Sequence, residues 1–192
     1  PELEQVVGSS RVPLDRGLNL EASMDNFLLS SLFAHTGAEI GFSNGWRYGA
    51  PILPGPILLN DLYNIAPMNP PISTVEISGK ELKTMLEKNL EHTFSRDPLN
   101  QMGGYVKRAL GLRVFFKIEN PPGERIHKIF IGNAEAQADK IYQAAFVTEQ
   151  GVPAEFGQNR RAWEDRLIPV MQSYLKNQQN IDTPLLGTYT MI

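Results

Sequence analysis

The segment Ser43-Asn44-Gly45-Trp46-Arg47-Tyr48-Gly49 sets a guanidinium between two aromatic rings directly after a short apolar run. A planar guanidinium meets an oxyanion through two parallel N–H bonds, so Arg47 is the candidate anion contact, with Asn44 beside it and Trp46 and Tyr48 as apolar walls. A second loop, Ile65-Ala66-Pro67-Met68-Asn69-Pro70-Pro71, brings Asn69 to the start of the next strand. Polar and aromatic side chains of this kind cost entropy to fix and need partners if buried, so the two loops are expected to wall a binding site. A third segment sets Tyr105, Lys107 and Arg108 behind Gly103-Gly104. Adjacent glycines let backbone amides approach an anion to which the two cations add charge; the competing reading is a loop with a solvated basic tip.

Other chemistries find little support. His35, His92 and His127 share no metal-ligand spacing with neighbouring carboxylates. Ser30, Ser31, Ser43 and Ser95 lack the strand-turn-helix setting of a nucleophile elbow. No catalytic residue and no metal ligand is therefore assigned. The absence of Cys removes disulfides and thiolate chemistry, and leaves the redox compartment open. Lys+Arg 18 against Asp+Glu 21 gives a net charge of -3, which provides no broad basic face for a nucleic acid polymer or an anionic membrane. No apolar run approaches the roughly 18 residues of a membrane span, and the first residues read as neither a signal peptide nor an initiator start, so a fragment or processed product is expected.

The elements that position these loops follow from periodicity. With 192 residues, 42% of them apolar, the chain has enough material for a real core. Leu20, Met24, Phe27, Leu28 and Leu32 recur at helical spacing, with Asn19 as expected N-cap and Gly37 as stop. Residues 38–43 read as a strand, and Gly49 to Pro56 as irregular until a brief helix near Asn60. Ser73 to Ile77 alternates as a strand and runs into Ser78-Gly79-Lys80-Glu81, a capping box that opens a helix with Leu82, Met85, Leu86 and Leu90 inward. Leu112 to Ile118, Ile126 to Ile131 and Ile141 to Val147 read as three strands, expected as an antiparallel meander. Residues 151–158 read as irregular. Arg161 to Lys176 reads as a helix kinked at Pro169, with Arg160-Arg161 capping its start or facing water. The tail from Asn180 shows no periodicity, and nothing marks a linker, so residues 1–192 are expected to form one α+β domain with helices packed on a mixed sheet.

The order of these pieces resembles the C-terminal domain of the 5'-nucleotidase family from about Leu18 to Phe146. The likeness rests on the helix containing Asn19-Leu20-Glu21-Ala22-Ser23-Met24, the Asn44-Gly45-x-Arg47 loop, Gly55 with Asp61-Leu62-Tyr63, Pro67-Met68-Asn69, the strand into Ser78-Gly79-Lys80-Glu81-Leu82, and Tyr105 ahead of Leu110-Gly111-Leu112. Where that family closes with a Gly-Gly-Asp-Gly-aromatic loop that stacks a base, this sequence has Gln150 to Gly157, with Phe156 as its aromatic. The wording of residues 43–49, 67–71, 94–98 and 101–108 looks most like the SoxB thiosulfohydrolase branch. That resemblance implies a periplasmic hydrolase whose N-terminal metallophosphoesterase domain, outside this chain, holds two manganese ions. It also implies removal of sulfate from a cysteine-bound thiosulfonate on a carrier protein's Gly-rich arm. This chain would then be the substrate-binding half, with Asn44, Trp46, Arg47, Tyr48, Asn69, Tyr105, Lys107, Arg108 and Phe156 facing substrate. Two readings stand beside it: a nucleotide hydrolase in which Tyr105 and Phe156 clamp a base, and a non-catalytic module that docks a protein.

Overall fold

The computed structural model describes residues 2–44, 50–103 and 105–192. In chain order it comprises β1 (Val6–Ser10), α1 (Ser23–Thr36), β2 (Ile40–Ser43), β3 (Gly55–Leu58), α2 (Leu59–Ile65), β4 (Pro71–Ser78), α3 (Gly79–Phe94), β5 (Arg108–Leu110), β6 (Leu112–Phe116), β7 (Ile126–Ile131), β8 (Ala134–Glu135), β9 (Ile141–Val147), the single turn α4 (Thr148–Gly151), β10 (Gln158–Arg166), α5 (Leu167–Gln178) and β11 (Tyr189–Met191). The architecture is α+β on mixed sheets, as the periodicity predicts. A five-stranded sheet is ordered β10-β4-β9-β2-β5, with β2 and β9 parallel and the remaining neighbours antiparallel. A four-stranded sheet is ordered β11-β6-β7-β8, and β1 pairs with β3 in a separate ribbon.

Strand β9 occupies the middle of the larger sheet because it is apolar on both faces. Ala144, Ala145, Phe146 and Val147 are all buried. Ala145 and Val147 join one core with α1, α2 and α5; Ala144 and Phe146 join a second with α3, β6 and β7. A strand with apolar residues at consecutive positions is stable only where both faces are covered. This explains why the three-strand meander does not form. β6 and β7 pair antiparallel, but β9 leaves them and enters the other sheet between β4 and β2.

Other boundaries also move. α1 begins at Ser23 behind Ala22, not at Asn19, whose carbonyl instead accepts the Val106 amide. Gly37 does end it, with φ 70 and its amide on the Phe33 carbonyl. Residues 55–58, expected to be irregular, form a strand, and Pro56 is tolerated because the two-stranded ribbon is all edge. The helix expected from Arg161 is a strand as far as Arg166, which places Trp163 in β10; helical structure starts at Leu167. Pro169 consequently falls in the first turn of α5, where no intrahelical donor is lost, so it neither kinks nor breaks the helix. The unpatterned tail contributes β11, parallel to β6.

The capping box at α3 is present as the sequence predicts. The Glu81 amide donates to Ser78 Oγ at 3.2 Å, and the Ser78 amide donates to Glu81 Oε2 at 3.0 Å. Glu81 also accepts the Gly157 amide at 3.0 Å, and these bonds from Ser78 hold its carboxyl below the usual range. Ser78→Ala is expected to lower folding stability by about 1 kcal/mol, read as a lower urea midpoint at unchanged slope.

Candidate functional site

Asn44 is the last described residue of its loop, and its Nδ2 donates to Gln150 Oε1 at 2.8 Å. That bond joins the end of β2 to the segment after β9. Together they form one wall of a cavity of about 440 Å³, whose opposite wall is α3. Asn44, Tyr105, Lys107 and Phe156 all line it, so four of the residues expected at a site come together. Trp46, Arg47 and Tyr48 lie outside the described residues.

Lys107 is 7% exposed and its Nζ donates to the Gln150 carbonyl. Its own backbone amide donates to Asn89 Oδ1 at 2.7 Å, and Thr93 Oγ1 donates to the Tyr105 carbonyl at 3.1 Å. Helix α3 thus grips the Tyr105 to Lys107 loop with two side chains. It also supplies Met85, Lys88 and His92 to the cavity. Met85, Asn89 and His92, with Lys88 beside Asn89, recur at the three- and four-residue spacing of one helical stripe. Reading α3 only for its apolar stripe overlooks this flank, and the polar residues along it are the signal that finds it. Phe156 is 5% exposed, and Lys88 Nζ lies 4.9 Å from its ring centroid. Arg160, expected at a helix start, donates to the carbonyls of Val152, Pro153 and Phe156 and so shapes the loop that presents Phe156.

Arg108 and Asn69 do not line this cavity. Arg108 is 3% exposed; its Nε pairs with Asp25 Oδ2 at 3.3 Å, and its Nη2 donates to the carbonyls of Arg16 and Leu18. Its guanidinium carbon sits 5.4 Å from the Tyr105 ring centroid, so Arg108 acts from beneath the aromatic. Asp25 also accepts from Arg16 Nη2 at 3.3 Å and from Ser43 Oγ at 2.9 Å. The carboxylate therefore ties together Ser43, which precedes Asn44, and Arg108, which follows Lys107. Asn69 sits in the turn before β4 at φ 41, where its Oδ1 accepts the Ile168 amide and its carbonyl accepts from Arg166, thereby capping α5. Among the described residues no group of three or more His, Cys, Asp or Glu side chains is placed to hold a metal ion. None of their helices is long and apolar enough to cross a membrane.

Two outcomes are expected. Asp25→Ala strands two buried guanidinium groups and should cost about 3–5 kcal/mol in equilibrium unfolding. Burial lowers the Lys107 amine to about 8, with Glu155 partly opposing, against an ordinary value of 10.5. Between those values the unfolded chain binds more protons than the folded one, so Lys107 makes stability rise with pH across that window. Lys107→Met should flatten that rise, measured as the difference in urea midpoint between the two proteins.

Comparison with known proteins bears on the fold and the family. The chain is 28% identical over 142 residues to the trifunctional nucleotide phosphoesterase protein YfkN of Bacillus subtilis, a match covering 68% of this chain and 9% of that protein. Among solved structures, the sulfate thiohydrolase SoxB of Thermus thermophilus superposes on the whole chain with TM-score 0.89 at 25% identity, over 36% of its own length. A 5'-nucleotidase precursor from the same organism superposes over the whole chain with TM-score 0.83 at 20% identity, over 40% of its length. The chain therefore spans less than half of each of these proteins. The family model described as "5'-nucleotidase, C-terminal domain" matches residues 6–148, and the chain belongs to that family.

Proposed function

We propose that residues 1–192 form the substrate-binding domain of a two-domain hydrolase of the thiosulfohydrolase type, which releases sulfate from a thiosulfonate carried on a partner protein's cysteine arm. The observation that carries this reading is the combination of cations and ring burial around the cavity. Lys88 and Lys107 line it together with one carboxylate, Glu155, which meets Lys88 at 3.5 Å in an exposed pair, whereas Phe156 is 5% exposed with Lys88 over its ring. A base sandwich needs two accessible ring faces, and this arrangement suits an anionic group reaching past Tyr105 instead. The similarity to the SoxB structure over the whole chain supports the same choice.

In this reading the dinuclear manganese chemistry, and a periplasmic setting, belong to the remainder of such a protein. The contribution of this chain in that reading is to bind and orient the substrate. Asn44 is held by Gln150, and Lys107 by Gln150 and Asn89, which fixes the donors before substrate arrives. Precise positioning of a reacting group lowers a barrier without chemistry from the positioning residues. Tyr105 supplies the apolar wall against which a Gly-rich arm lies.

A second reading, nucleotide hydrolysis, is favoured by the fact that Tyr105 and Phe156 line one cavity and by the nucleotide phosphoesterase among the relatives. An assay of the complete protein separates the two. Sulfate release from a peptide bearing a cysteine thiosulfonate is expected, with Tyr105→Ala raising KM roughly tenfold, about 1.4 kcal/mol. Hydrolysis of a nucleotide, inhibited by adenosine and accompanied by no sulfate release, overturns the first reading in favour of the second.

A further inference from the structure

A larger cavity, about 610 Å³, runs between α3 and strands β7 and β8. It shares only Lys88 with the cavity described above, so it is a separate feature. Its volume is that of a small-molecule site. The floor is apolar: Ile126 and Ile129 of β7, with Ala136 and Pro122 at its margins.

The charge of its helical wall is one-sided. Lys80, Lys83, Glu87, Lys88 and Glu91 fall on one stripe of α3 and all line the cavity. The two acids are turned into the fold. Glu87 is 5% exposed, and its carboxylate oxygens accept the amides of Arg125 and Ile126 at 3.2 and 2.6 Å. Glu91 pairs with Arg125 Nη2 at 2.8 Å. Lys80 and Lys83 are exposed and have no carboxylate partner among the described residues. Lys88 and Lys128 meet Glu155 and Glu135 at 3.5 and 3.1 Å in solvent-exposed pairs, which hold weakly. The result is an apolar trough with unneutralised ammonium groups along one edge, on a chain whose net charge is -3.

We propose that this trough binds an amphipathic organic anion, an acyl or aryl body ending in a carboxylate or sulfonate. The body lies against the exposed Pro122 and Ala138 and the half-buried Ala136, above Ile126 and Ile129, which are 3% and 5% exposed and close the floor, and the anionic end meets Lys80 and Lys83. Lysine stems extend apolar contact along such a ligand while the charged heads stay in water beside its anionic end. The inference is independent of the substrate assigned to the other cavity.

Dodecanoate, with dodecanol as its neutral counterpart, is the probe. Titration followed by amide NMR shifts is expected to move Thr84, Ile126, Ile129 and Ala136 first. The double variant Lys80→Glu/Lys83→Glu changes two exposed side chains and should fold unaltered, judged by circular dichroism. It should weaken dodecanoate roughly tenfold and leave dodecanol unchanged. Shifts that gather elsewhere, equal binding of dodecanoate by variant and parent, or tighter binding of dodecanol than dodecanoate overturn the proposal. So does an acidic peptide that displaces dodecanoate at lower concentration than dodecanoate itself requires, since that outcome assigns the trough to a polypeptide partner.

Discussion

One buried carboxylate holds the candidate site in register. Asp25, 1% exposed on α1, receives Arg16, Arg108 and the Ser43 hydroxyl. Burying two guanidinium groups and an acid carries a large desolvation penalty that only mutual pairing offsets. Burial lowers the Arg16 pKa while Asp25 pulls it back. The cluster is therefore stable only when α1, the end of β2 and the start of β5 are all in place. Those last two strands lead into Asn44 and out of Lys107, so the same electrostatic requirement that orders the core fixes the spacing of the cavity's two ends.

Much of this was legible from residue order. The capping box at Ser78, the αL stop at Gly37, the alternation of β4 and the bounds of β7 are local signals, and each appears as read. What was not legible depends on partners distant in sequence. β9 carries no mark that says which sheet it joins; its consecutive buried residues Ala144 to Val147 acquire meaning only once helices cover both faces. β10 read as a helix because Trp163 and Leu167 fall at helical spacing, yet Trp163 bonds Thr74 across the sheet, a contact 89 residues away.

The site divides the same way. Tyr105, Lys107 and Asn44 stand out in sequence as loop residues, Phe156 only through the family resemblance, and the four line one cavity. Arg108 and Asn69 look equally functional in sequence, but both close backbone gaps: one secures carbonyls beneath an aromatic, the other caps a helix. Lys88 and Asn89 show in sequence only as a polar flank of α3, and Gln150 not at all; which of them holds a loop is visible only once Lys107 and Asn44 are in place. Polar residues on loops mark where to look, and burial together with partner identity decides which of them remain open to a ligand.

The carboxyl-terminal segment is secured by Glu21, which accepts the amides of Leu186, Gly187 and Thr188 at 2.7, 2.9 and 3.1 Å. That grip delivers β11 to the side of β6, strand Leu112–Phe116, which would otherwise be the outer margin of its sheet. An uncovered margin of this composition is a template for neighbouring molecules. Glu21 thus acts at a distance as a guard against self-association: whatever loosens its hold on three amides exposes an adhesive strand on the far side of the tail.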